Sequence, residues 1–571
     1  MQKNTFNILI VILLFVSTSL FSQKTKKIEL LHSDKLKSGG HLGADIKRLI
    51  GNVKFKHEDA IMYCDSAYFN SQKNVLDAFS NVHIIQGDSL NLYGDYLRYD
   101  GNTKISKVRN NVKLIHGDAT LTTDSLDFDR NINQAHYFDY GQIIDSENDL
   151  TSIHGYYYSD TKEYFAIDSV ILLNDKYTMT GDTLKYNTST DVSYFFGPTT
   201  IVSDSNYIYC ENGWYDTKND VSQFNKNAYL LKGAQKLSGD SLFYDRNIGL
   251  GKAFINVEIE DTTQKVIITG EKGTFFENPE IATVTDSAVL MQVSENDTLF
   301  LHADTLRMKT YIDTIIYSVT DTLELNFLDS IYRFVKLDSI IEFSIDTVAF
   351  AKDSTDTLMS VQKLVFIYQQ DSLFKHKKAF AYNKARLYKS DLQGKTDSLM
   401  YVFKDSVIQF FGSPVLWSDE NQIDGEYIEM FMKNDEADHF YIESNAMIVS
   451  EDDSIRYNQI SGKEIYGYFK KNEIYLVKVF GNAESVYYAR EEAKDTTQSK
   501  KGELIGPNVA KGSTMHIYLK NRKPAKIVYL KSPDGTLSPV NYKTQEELRL
   551  KNFSWQIDKR PTDRYDIFRW R

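Results

Sequence analysis

The chain has 571 residues, a formal net charge of −12, abundant Tyr (38) and Phe (33), and few Pro (8). The acidic balance makes nucleic acid a poor partner, and a profile rich in aromatics and punctuated by Ser, Thr and Asp favours strands and turns over helices.

Residues 1–22 read as a secretory signal: Lys3, then the apolar run Ile8 to Val16, then the small-residue exit Ser17 to Ser22 towards Gln23. The run is shorter than the roughly 20 apolar residues that span a bilayer. No Cys sits just after it, so a lipid anchor is not indicated, and cleavage and export are expected. Ile28-Glu29-Leu30-Leu31 then predicts a first strand, and Ser38-Gly39-Gly40 a turn.

From about residue 49 a motif recurs. Gly94-Asp95-Tyr96-Leu97-Arg98-Tyr99-Asp100 leads to Asn111-Val112-Lys113-Leu114, and Gly239-Asp240-Ser241-Leu242-Phe243-Tyr244-Asp245 leads to Asn256-Val257-Glu258-Ile259. Cys64-Asp65-Ser66-Ala67-Tyr68-Phe69-Asn70 leads likewise to Asn81-Val82-His83-Ile84. With marks at 64, 94, 123, 155, 181, 210, 239 and 270, the steps lie between 26 and 32 residues. Such a period predicts a stacked array whose units bury their apolar faces against neighbours. Period-2 alternation places Leu97 with Tyr99, Leu126 with Phe128, Leu184 with Tyr186, Leu242 with Tyr244, Val82 with Ile84, Val112 with Leu114 and Val257 with Ile259 on one face. Each unit is therefore expected to be two half-buried strands joined by an Asp/Asn-rich turn, with the Gly-Asp mark at a strand entrance.

The array runs clearly from about 49 to 308 within an N-terminal β-domain expected over 23–308, residues 309–360 predict a strand-rich insertion, and the repeats resume over 361–490, with a last copy around Gly462. Residues 491–512 are polar and aperiodic, predicting a loop before strands near Met515 to Leu519 and Lys526 to Leu530. Thr544 and Glu547 have capping-box spacing and predict a short helix ending near Asn552. The basic, aromatic segment Lys559 to Arg571 suits a capping tail over the last rung, or a contact with an anionic lipid or partner.

Little in the chain resembles a reactive site. Gly87-Asp88-Ser89-Leu90 and Gly239-Asp240-Ser241-Leu242 spell the nucleophile block of GDSL hydrolases, but none of the eleven His has the Asp three residues earlier that would complete that machinery. No His or Cys pair has metal-ligand spacing, and no phosphate loop is present, so neither catalysis nor a cofactor is indicated. Cys64 and Cys210 sit five repeats apart, at least roughly 24 Å, which is too far for a disulfide.

The asset that remains is a continuous apolar face. If the sheet folds on itself the face becomes a trough for acyl chains. If large inward side chains fill it, the face is core. These repeats, following a signal and the Ile28 to Leu36 segment, resemble the OstA/LptA family of periplasmic lipopolysaccharide-transport proteins, best over roughly 28–280 and closest to its long OstA-like subgroup. The resemblance implies an all-β jellyroll (a "taco" of antiparallel strands) in the periplasm, associated with outer-membrane assembly. It would hold lipopolysaccharide by its inward side chains and stack by edge strands on other jellyroll components. Carried over by position, the lipid-facing residues are Ala67, Phe69, Val82, Ile84, Leu97, Tyr99, Val112, Leu114, Leu126 and Phe128, with Leu184, Tyr186, Leu242, Tyr244, Val257 and Ile259 in equivalent places. The competing reading is a structural or adhesive repeat protein of the envelope that binds a protein or glycan.

Overall fold

The computed structural model describes residues 26–39, 45–87, 89–204, 206–295, 297–325, 340–350, 359–434, 436–471, 473–491, 502–520 and 523–570, with side chains outside 314–372 and 523. The signal expected at 1–22 and parts of the insertion and of the 491–512 loop lie outside these residues. The described chain is nearly all antiparallel strand, in two compact units, 1–248 and 249–571.

In the first unit the strands follow one another as a meander, for example Val75–Gln86, Leu90–Asp100, Ile105–His116 and Ala119–Asp129. Each long strand is interrupted near its middle. The pairing of Leu90–Asp100 with Ile105–His116 slips between Tyr93 and Tyr96, and neighbouring ladders slip at the same level. At the slip one strand carries two consecutive left-handed residues: Ser80 and Asn81, Asn110 and Asn111, Asp168 and Ser169, Lys226 and Asn227. Asn tolerates this backbone better than other non-Gly residues. Its side chain then reaches the acid of the preceding strand: Asn81 Nδ2 donates to Asp65 at 2.8 Å, Asn111 to Asp95 at 2.6 Å and Asn227 to Glu211 at 2.7 Å. The Gly-Asp mark is thus a mid-strand corner and not the strand entrance expected from sequence. The small residue is needed there because the next strand occupies its space: a Cβ on Gly94 would lie 2.4 Å from Val108 Cγ1.

The corners fold the sheet into two leaves. Tyr99 is in register with Leu76, Phe69 and Lys47, ten residues from His57 along one strand, so on a flat sheet it would lie about 33 Å from His57. Yet Tyr99 Oη is 2.6 Å from His57 Nδ1. The hairpin tips of one leaf also stack in a ladder. Their left-handed residues recur at 74, 104, 133, 162, 191 and 220, and Gly101, Arg130, Ser159, Thr188, Thr217 and Arg246 donate backbone N–H bonds of 2.8–3.2 Å to them in order.

The second unit uses the same corner: a Cβ on Gly462 would lie 2.4 Å from Val479 Cγ1, and Asn445 donates to Glu426 at 2.5 Å. In the insertion, Thr305–Leu325 pairs along its whole length with residues 362–382, and Ile340–Phe350 adds a third strand. Part of the expected 491–512 loop belongs to the strand Leu504–Lys520. No α-helix forms over 544–552. Thr544 and Glu547 do make the reciprocal cap, at 2.8–3.3 Å. The turn does not propagate, because the following backbone is engaged by two buried glutamines. Gln459 accepts from Leu550 N and donates to Leu548 O, and Gln422 accepts from Gln556 N and donates to Ser554 O. Short 3-10 turns follow at Ile557–Lys559 and Asp566–Phe568. The tail therefore runs back over the outer face of one leaf as a strap, with Leu548 packed on Val486 and Tyr488 and with Phe568 beside His302.

Two stability outcomes follow. Asn111→Ala is expected to cost about 1–2 kcal/mol in urea unfolding, with Asn111→Gly recovering part of the loss by relieving the left-handed backbone. Gln422→Ala removes both bonds to the strap and should make the tail the first segment cut in limited proteolysis, with the sheet left intact.

Candidate functional site

The inward residues of the two leaves form one surface. In the first unit, one leaf contributes Ala67, Phe69, Leu97, Tyr99, Leu126, Phe128, Leu184 and Tyr186, and the other Val82, Ile84, Val112 and Leu114, all at most 5% exposed. Leu242 is also buried, whereas Tyr244 is half-buried. Val257 and Ile259 are buried in the second unit. The structure thus brings most of the sequence-derived set together, and it shows how closely the leaves pack. Over residues 49–186 the interior is filled by side chains, including Phe55, Tyr137, Tyr157 and Tyr164. Towards the end of the unit the inward residues Ile208, Tyr215, Leu230 and Leu237 are half-buried. A cavity of about 20 Å³ beside Leu299 and Ile408 in the second unit has room for about one water.

At the free margins of the leaves, residues of the inward set meet polar partners that the period-2 pattern does not show. An inward aromatic recurs at the tip of one leaf every 29 residues: Tyr99, Phe128, Tyr157, Tyr186, Tyr215 and Tyr244. These residues meet the opposite tips. Arg130 donates to Tyr99 Oη at 2.7 Å, leaving the Tyr99 proton for His57 Nδ1, and His57 Nε2 is 3.0 Å from the Lys26 carbonyl. Arg130 also donates to Gln86 at 3.1 Å and Asp59 at 2.6 Å, and Lys104 pairs with Glu58 at 2.9 Å. Further along, Tyr157 bonds His116, and Tyr186 donates to Asp145 at 2.9 Å and accepts from Asn148 at 3.1 Å. Tyr177 meets Tyr215 edge to face at 5.5 Å. Among the described residues, the contacts that join the two margins here each involve a side chain, and no strand ladder closes the sheet into a barrel.

Burial sets the protonation of this margin. It pushes the Tyr99 phenol up to about 12 and holds His57 and His116 below the ordinary imidazole value, with the Arg130 charge also disfavouring a cation at His57. The bond from Lys104 holds Glu58 below the usual carboxylate range. Cys64 and Cys210 are free and buried, with thiols pushed up to about 12 by burial, and are inert packing residues. Ser241 accepts a bond from Gln223 at 3.2 Å.

An antiparallel sheet folded into two leaves around an inward apolar surface has the architecture of an OstA-like β-jellyroll. Residues 25–182 and 168–240 match the family described as OstA-like protein, so this stretch of the chain is OstA-like. No curated protein matches the chain. No helix among the described residues is long and apolar enough to cross a membrane.

The lowered imidazoles give a signed pH dependence. An unfolded chain takes up protons at His57 and His116 before the folded one does, so their contribution is present above the ordinary His value and lost as pH falls below it. The melting temperature should drop between about pH 7 and about pH 5, and His57→Gln with His116→Gln should flatten that slope. An unchanged slope in the double variant would remove these residues as its source.

Proposed function

We propose that the protein is a non-catalytic carrier that holds the acyl chains of lipopolysaccharide between its two leaves during transport to the outer membrane. The observation that carries this reading is the margin: the leaves are joined there by side-chain contacts worth about 1 kcal/mol each, with no backbone ladder to break. Burying a 14-carbon chain contributes on the order of 10 kcal/mol, enough to part a few such contacts while the inward Leu, Val and Ile residues exchange one another for lipid. The half-buried residues Ile208, Leu230, Leu237 and Tyr244 are where a chain would first insert. Similar rungs in succession let a chain move on, since what is lost at one rung is regained at the next. Partner jellyrolls would add to the edge of the last strands, Lys523–Leu530 and Asp534–Leu537, which among the described residues pair only with Leu504–Lys520.

The filled interior over residues 49–186 favours a second reading, in which the inward face is only core and the protein is a structural element of the envelope. Photo-crosslinking separates the two. A photoreactive residue at Leu97 or Leu126 in living cells is expected to give a lipopolysaccharide adduct, and one at the outward Arg98 none. Adducts at Arg98 alone, or at none of the three, would leave the structural reading standing.

A further inference from the structure

The margin around Tyr99 differs from the rungs beyond it. There the leaf tips are held by cations facing carboxylates, whereas the later contacts of Tyr157 and Tyr186 use His116, Asn148 and Asp145. The two halves of the main pair are also unequal. The Arg130 side chain is 3% exposed and fixed by Gln86, Tyr99 and His57, while its partner Asp59 is 58% exposed on the opposite hairpin tip. Lys104 and Glu58 repeat the arrangement in the adjoining turns. Parting the leaves at this rung draws Asp59 and Glu58 away from Arg130 and Lys104. That leaves a buried guanidinium uncompensated, which costs several kcal/mol. A neutral amphiphile cannot repair this, but one bearing an anion at the junction of headgroup and acyl chains can.

We propose that Arg130 and Lys104 form a phosphate site at the margin of the trough. When a phosphorylated, acylated amphiphile lays its chains beside Leu97 and Phe128, its phosphate replaces the carboxylates of Asp59 and Glu58 on these two cations. The guanidinium fork suits a phosphate as well as a carboxylate, so the buried cation stays paired throughout the exchange. The rung thereby admits phosphorylated lipid and resists neutral lipid. The proposal rests on the carrier reading and adds the headgroup chemistry to it.

The test uses the full chain and three probes: an acylated disaccharide carrying two phosphates, the same lipid after enzymatic removal of both, and inorganic phosphate. The wild type should bind the phosphorylated lipid about tenfold or more tightly than the dephosphorylated one. Arg130→Gln with Lys104→Gln should erase that preference by weakening binding of the phosphorylated lipid and tightening that of the dephosphorylated one, since no buried cation is then left unpaired when the leaves part. Glu58→Gln with Asp59→Asn frees the cations and should tighten binding of the phosphorylated lipid, a gain that a merely misfolded variant cannot mimic. Equal affinity of the wild type for both lipids, or a cation-loss variant that weakens both alike, would overturn the site. Inorganic phosphate competing as well as the phosphorylated lipid would overturn the lipid as its source. A wild type that binds neither lipid would bring down the carrier reading itself.

Discussion

The corner at the middle of each strand is the constraint from which the rest of the fold follows. Two left-handed residues turn the backbone, an Asn at several of the corners bonds to the acid of the preceding strand, and a small residue beside that acid lets the next strand close in, as Gly94 does for Val108. A single bend of this kind would be a local defect in a sheet. Repeated at one level from strand to strand, it becomes a fold line, and an otherwise open meander acquires two faces that see each other.

The fold line explains why the inside and the margin differ in chemistry. Next to the corner the leaves are close and their inward positions exclude water, so Leu, Val, Ile and Ala stand there. At the tips the backbone must turn, water is near, and residues with an apolar body and a polar end suit both conditions. Tyr99, Tyr157 and Tyr186 do this from one leaf, answered by His57, His116 and Asn148 from the other. An apolar interior closed by separable polar contacts can serve as a stable core and also as a seam, and the balance between these depends on what is offered to it.

In the second unit the outer face is managed as well. Gln393, Gln422 and Gln459 lie on that face of one leaf, each at most 3% exposed, and their amide groups bind the strap at Arg560, Gln556 and Leu550. Amides that both donate and accept satisfy an extended chain without requiring it to become a sheet strand or a helix. This is why the capping box at Thr544 forms and the helix behind it does not.

The sequence by itself determined the class of fold, the repeat and the inward set, because alternation along a strand and the 29-residue recurrence are local and survive without knowledge of neighbours. The Tyr99-to-Tyr244 column shared that period and was legible in the same way. The meaning of the Gly-Asp mark was not, since a strand entrance and a mid-strand corner use the same residues, and only the paired strand distinguishes them. The contacts of Arg130 with Asp59, Gln86 and Tyr99 join residues 31 to 71 positions apart across two leaves. No local period records how far a sheet folds over, so the tertiary structure alone decided which tips meet, how tightly the interior closes and where the tail lies.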